Sequence, residues 1–303
     1  MTKRKDKLGS RAPRGAKSGA GARVGRAAAR PDDGRSSGRS GSPGPRPRGG
    51  SRALWLFGVH AVLAALGNPN RRPERLMMTA EAAQTWGQQL REACDPRHAG
   101  LATQTVQRRD IDALLPEGSV NQGLALATAP LHQPALEDIF GRNLPDSTPA
   151  PQPHRRVVVL LDQVTDPHNV GAVLRSAAAF GALAVVALDK GAPEESGTLA
   201  KAASGAFEVI PYISVVNLAR ALDSLKEAGF WCLGLAGEAR QSLAESSPGE
   251  AVALVLGAEG PGLRRLTRER CDLLVKLPTR PPIDSLNVSN AAAVALYELL
   301  GRG

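Results

Sequence analysis

The sequence predicts an α/β protein in which a small mixed domain precedes a doubly wound domain with a parallel sheet, behind a basic tail. Three observations carry this. Apolar runs of strand length alternate with stretches of helical periodicity from residue 54 onward. The run Val157-Val158-Val159-Leu160-Leu161 is unbroken, as a parallel strand covered on both faces requires. Charge is segregated: residues 1–50 hold 14 Lys and Arg against 3 Asp, while residues 51–303 hold 24 basic against 26 acidic side chains.

The tail comes first. Beyond Met1 its large apolar residues are Leu8 and Val24, set among Gly, Pro, Ser and Arg. Too little surface can be buried to offset chain entropy, so residues 1–50 are expected to be disordered. Three roles stay open: a solubilising tail, a polycation contacting phosphates with salt-sensitive affinity, and a transit peptide, which ranks last because Gly and Pro oppose an amphipathic helix. The apolar core of a secretory signal is lacking.

Folded structure is expected from Leu54. Val59, Val62, Leu63 and Leu66 fall at i, i+3, i+4 and i+7, which predicts a helix over 58–66 that Gly67-Asn68-Pro69 stops. A strand at 75–79, a helix at 81–94, a strand at 101–106, a short helix at 110–115 and a strand at 123–128 complete a small α/β domain over 51–129. Six prolines between 130 and 154 remove backbone donors and fix φ, so that stretch reads as a linker. The second domain spans 155–303. Its strands are expected at 157–161, 183–188, 207–210, 230–235, 251–256 and 273–277, with helices at 170–180, 198–204, 215–228, 263–271 and 288–300.

Composition excludes several classes. Apolar residues make up 42% and aromatics 3%, so the core must be Ala, Val and Leu. No apolar run approaches the ~18 residues of a membrane span. Cys94, Cys232 and Cys271 are far apart and form no CxxC; with histidines that lack ligand spacing, this argues against a disulfide framework or a metal site and for a reducing cytoplasm. GxGxxG after a first strand, GxxxxGK[ST], GxSxG and HExxH are all missing, which removes support for dinucleotide, ATPase, serine-hydrolase and metalloprotease chemistry.

What remains is a crevice. The run at 251–256 breaks into Gly257-Ala258-Glu259-Gly260-Pro261-Gly262, and the run at 273–277 leads to Ser285-Leu286-Asn287-Val288-Ser289-Asn290 before an alanine-rich helix. Two buried strands ending in such loops describe a small-molecule site at the carboxyl edge of a parallel sheet. Glu259 is a solvated loop acid or, between glycines that permit close approach, a site carboxylate. Ser285, Asn287 and Ser289 are caps or ligand groups at a helix N-terminus. Asn169 is expected to cap the helix after the first strand, and Arg175 lies off that helix's buried stripe.

Together these segments resemble the SpoU (TrmH-like) RNA ribose 2′-O-methyltransferases of the SPOUT class. The first motif is matched by Asn169-Val170-Gly171-Ala172-Val173-Leu174-Arg175-Ser176-Ala177, the second by Leu254-Val255-Leu256-Gly257-Ala258-Glu259-Gly260, and the third by Ser285-Leu286-Asn287-Val288-Ser289-Asn290-Ala291. The resemblance covers about 155–303, and Gly58-Val59-His60-Ala61-Val62 is similar to the start of the small ribosomal-protein-like RNA-binding domain of the rRNA-directed branch. That branch carries His before Gln-Gly at the domain's last strand, where this chain has Asn121.

The resemblance implies a trefoil knot, a homodimer with the site at the interface, and S-adenosylmethionine as cofactor. The cofactor would be held mainly by backbone atoms of Gly257, Leu277 and Leu286, with Leu256 and Ser285 beside them. It further implies transfer of a methyl group to a ribose 2′-hydroxyl, of a guanosine in 23S rRNA, with Arg175, Asn169, Glu259, Asn287 and Ser289 as the catalytic set. Neither a metal nor a membrane is expected. A guanidinium with pKa above ~12 is a poor base, so Arg175 is expected to clamp a phosphate and lower the hydroxyl's pKa. A tRNA ribose methyltransferase and a non-catalytic ribosome-assembly factor are the competing readings.

Overall fold

The computed structural model describes residues 54–140, 155–283 and 285–301; the basic tail and residues 141–154 of the expected linker lie outside them. In the first part, β1 (Leu54–Phe57), α1 (Val59–Gly67), β2 (Pro73–Met78), α2 (Ala80–Ala93), β3 (Ala102–Thr105), α3 (Arg108–Asp112) and β4 (Leu124–Thr128) follow in order. The strands form a four-stranded sheet, β1-β4-β2-β3, with β4 antiparallel to both neighbours. Alternation along β4 sends Leu124 and Leu126 to a core with α1 and α2, and Ala125 to a second core with Ile111 of α3.

The second part runs β5 (Arg156–Asp162), α4 (Pro167–Phe180), β6 (Ala184–Leu188), α5 (Gly197–Ala203), β7 (Tyr212–Val215), α6 (Leu218–Glu227), β8 (Trp231–Leu235), β9 (Gln241–Ser242), β10 (Ala251–Gly257), α7 (Arg265–Arg270), β11 (Leu273–Lys276) and α8 (Val288–Leu300). Its sheet has the order β7-β6-β5-β10-β8-β11-β9, and every pairing is parallel. β5 is buried on both faces: Val157, Val159 and Leu161 meet α4, α5 and α8, while Val158 and Leu160 meet α6. Strand order reverses between β5 and β10, where Asp162 and Gly257 are register partners, so the crevice expected of a doubly wound sheet opens there.

Several expectations are corrected. Residues 207–210 are not a strand: Ala206–Glu208 is a 3-10 turn, and the strand is Tyr212–Val215, behind Pro211. Phe207 and Ile210, three apart, both drop into the core from this turn, so their apolar character marks packing and not a strand. The helix expected from 215 starts at Leu218, because Asn217 caps it by accepting from Arg220 N–H at 3.2 Å. Within the proline-rich stretch, Leu136–Ile139 form a 3-10 turn whose Leu136 and Ile139 are buried beside α6, so this piece is packed structure rather than spacer. Asn121 is buried, gives its amide to Asp112 at 2.6 Å and accepts from Gly123 N–H at 2.9 Å; it holds the turn into β4.

α5 belongs to both sheets. Leu199 and Ala203 enter the core of the large sheet and Ala200 that of the small one. A Cβ on Gly197 would stand 2.2 Å from Trp55 O, and one on Gly171 of α4 would stand 2.4 Å from Ala202 Cβ, so β1, α5 and α4 are stacked at backbone contact. Beside this stack the side chain of Arg71 is fully buried, with Nη2 2.6 Å from Glu208 Oε1 and Nη1 2.6 Å from Glu195 Oε1. The other carboxylate oxygen of Glu195, Oε2, accepts from Leu131 N–H at 2.8 Å. Burial raises the Glu195 carboxyl above its ordinary value despite Arg71.

Candidate active site

The site lies where three segments meet at the switch point. Asn287 ties them. Its Nδ2 donates to Asn169 Oδ1 at 3.0 Å and to Glu259 Oε1 at 2.5 Å, while its Oδ1 accepts from Ser289 N–H at 2.9 Å and Ser289 Oγ–H at 2.5 Å. Val288 N–H also points at Glu259 Oε1, at 3.4 Å. Asn287 is thus the N-cap of α8, and the same side chain reaches the first turn of α4 and the loop after β10.

Next to this knot of hydrogen bonds is a cavity of about 460 Å³ at the carboxyl ends of β8, β10 and β11. Leu256, Gly257, Leu277, Ser285 and Leu286 line it, as do Glu259 and Asn287. Leu286 is 40% exposed, an apolar side chain left open on the cavity wall. Gly257 is required by the chain itself: a Cβ there would lie 2.3 Å from Gly262 C, because the loop folds back and Gly262 N–H donates to Ala258 O at 3.0 Å. The close approach expected toward a ligand is here an approach of backbone to backbone.

The remaining site residues divide. Asn169 and Ser289 do not line the cavity and join it through Asn287. Arg175 is exposed on α4, off the cavity, and makes no ion pair or hydrogen bond among the described residues. Asn169 is not the helix cap. Asp166 takes that place, accepting from His168 N–H at 3.0 Å with Pro167 opening the helix, and this frees the Asn169 amide for Asn287.

Sequence reasoning missed two pairs. Asp162, fully buried at the end of β5, accepts from Arg264 N–H at 2.9 Å and from Arg264 Nε at 2.6 Å, which pins the loop after Gly262 to the switch point. Arg268 of α7 donates to Glu238 in the loop after β8, and both line the cavity. The Glu238 backbone amide and the Arg268 guanidinium hold the Glu238 carboxyl below the usual carboxylate range. A charged residue at a strand's carboxyl end was the available signal for Asp162; separations of 102 and 30 residues hid the partners. Burial pushes the Cys232 and Cys271 thiols up to about 12, which leaves neither as a thiolate nucleophile. Among the described residues no group of His, Cys, Asp and Glu is placed to hold a metal, and no helix is long and apolar enough to cross a membrane.

The profile of the SpoU rRNA Methylase family matches residues 156–297. The protein named 23S rRNA (guanosine-2′-O-)-methyltransferase RlmB in Vibrio cholerae is 40% identical over 251 residues, spanning 80% of this chain and 94% of that one. The chain belongs to the SpoU rRNA methylase family. The RlmB of Ralstonia nicotianae is 39% identical over 259 residues, spanning 82% of this SpoU-family chain and 95% of its own length. Among solved structures, one described as an RNA 2′-O ribose methyltransferase is 26% identical with a TM-score of 0.63, covering 83% of this chain and 89% of that one. The SpoU methyltransferase AviRb from Streptomyces viridochromogenes, solved with AdoMet, shares the fold at a TM-score of 0.67 and 19% identity, covering 82% of this chain and 90% of that one.

Proposed function

We propose that this chain is an S-adenosylmethionine-dependent methyltransferase acting on the ribose 2′-hydroxyl of a guanosine in 23S rRNA. The observation that carries the reading is the convergence of the three family segments on one cavity through Asn287. Relatives named for this reaction, matched over 94–95% of their length, support the same assignment.

The cavity suits the donor. Its volume of about 460 Å³ falls within the roughly 300–1,000 Å³ of small-molecule sites. Leu286 leaves an apolar side chain open on its wall, and Gly257, Leu277 and Leu286 offer backbone groups for the donor, with Leu256 and Ser285 beside them. When bound, the donor supplies an electrophilic sulfonium methyl group. The residues must then deliver and activate the ribose oxygen. Asn287, fixed from three sides, and Glu259 orient the groups at the cavity's edge. Arg175, exposed and without an intramolecular partner among the described residues, clamps the neighbouring RNA phosphate and lowers the hydroxyl's pKa. Positioning of this kind supplies up to ~7–11 kcal/mol of a bimolecular barrier.

A knot would account for the loops after β10 and β11 and the start of α8 sharing one cavity. A homodimer would cover Val294 and Tyr297 of α8, which are 47% and 51% exposed. Residues 51–129 are assigned to RNA binding and 155–303 to catalysis, in the cytoplasm. The tail's net charge of +11 suits non-specific phosphate contacts. Incubation with methyl-labelled S-adenosylmethionine and separate rRNA and tRNA pools tests the proposal. Label should enter 23S rRNA; label confined to tRNA, or in neither pool, overturns it.

A further inference from the structure

The cavity wall carries three formal charges among its described residues: Glu238, Arg268 and Glu259. Glu259 sits at the end where Asn287 and Asn169 meet. Glu238 and Arg268 stand at the other side of the crevice, since Glu238 follows β8, which is separated from β5 by β10, and Arg268 belongs to α7, packed on α6 and β8. S-adenosylmethionine is charged in the complementary sense. It bears a positive sulfonium, a positive α-ammonium and a negative α-carboxylate, and its adenine and ribose are neutral. An ion pair built into the wall therefore has a charged counterpart in one part of the donor, its amino-acid end.

Resting on the donor reading of the cavity, we propose that Arg268 and Glu238 form the subsite for the amino-acid end of S-adenosylmethionine, Arg268 taking the α-carboxylate and Glu238 the α-ammonium. Without ligand the two side chains hold each other at the wall. The lowered Glu238 carboxyl stays ionised through the neutral range, as an ammonium partner needs. Arg268 is about one-third exposed and Glu238 about three-fifths, so both are open to an incoming zwitterion. Glu259 is left facing the sulfonium end beside the ribose-orienting amides.

The test is calorimetric binding of three ligands to the full chain: S-adenosylmethionine, S-adenosylhomocysteine, and 5′-methylthioadenosine, which lacks the amino-acid end. Arg268→Ala should weaken the first two by about tenfold or more, the loss of a charge-assisted contact, and leave 5′-methylthioadenosine within about twofold. Glu238→Gln, nearly isosteric, should show the same pattern, so a selective loss there is not a folding effect. Arg268→Lys, which keeps the charge, should recover part of the affinity. Equal weakening of all three ligands, or no weakening of the first two, overturns the subsite. If the unaltered protein binds none of the three, the donor reading itself fails.

Discussion

Around α5 the molecule packs backbone against backbone and buries its charges; around Asn287 it leaves polar side chains half exposed and joins them by hydrogen bonds alone. At the junction, Gly197 and Gly171 bring three elements into contact, and Arg71 is sealed between Glu195 and Glu208. At the carboxyl edge, Glu259 and Asn287 are exposed, Arg175 is unpaired among the described residues, and Leu286 stands open. The first arrangement spends its interactions on holding α4 in place. The second keeps them available for ligands, as a site on a rigid scaffold must. Substitutions in the two regions should therefore separate into losses of chemistry and losses of stability.

Arg175→Ala is expected to have the largest effect. Turnover should fall by about a thousandfold, the scale for removing one group that meets transition-state charge, with S-adenosylmethionine affinity and unfolding midpoint near normal. Single-turnover methyl transfer and calorimetry measure both, and retained turnover would remove the assignment. At the junction, Arg71→Ala leaves two buried carboxylates unpaired and should cost about 3–5 kcal/mol in urea unfolding at pH 7. The deficit should shrink toward pH 5, because a protonated carboxyl no longer needs the guanidinium. A loss below about 1 kcal/mol, the scale of an exposed ion pair, would show that the junction is not a buried lock.

Glu195 sharpens the same point. Its folded-state pKa lies above the unfolded one, so the folded chain binds more protons, and the residue's contribution to stability is full in acid and falls as pH rises through the folded value. Glu195→Gln escapes that fall, and its stability relative to the parent should improve from pH 4 to pH 8; a constant difference would contradict the burial argument. Gly197→Ala must push α5 off Trp55 O and should cost about 1–3 kcal/mol while donor affinity holds. The smallest effect concerns the tail: removing residues 1–50 should flatten the dependence of RNA affinity on salt without changing donor binding.

Much of this architecture was legible in the sequence, for a physical reason. Parallel strands buried on both faces, such as Val157–Leu161 and Val252–Leu256, must be apolar at every position, and that signal is hard to mistake. β7 was missed because Tyr212–Val215 is short and follows a more strand-like apolar pair, Phe207 and Ile210, which the fold uses in a turn. At the site, the loops after β10 and β11 were visible as glycine-rich and polar breaks, but the roles of Asn169 and Arg175 came from resemblance. Asp166 rather than Asn169 caps α4 because Pro167 fixes the helix start one turn earlier than the apolar stripe suggests. Asp162–Arg264 and Glu238–Arg268 were invisible, since nothing local marks a pair that forms only when distant loops converge.

On the proposed function, the cavity beside Asn287 serves 2′-O-methylation of a 23S rRNA guanosine. Mapping ribose methylation across 23S rRNA from cells with the gene, without it, and with the Arg175→Ala form tests that claim directly. One guanosine should be methylated in the first sample and unmethylated in the other two; an identical methylation map in all three would contradict the account.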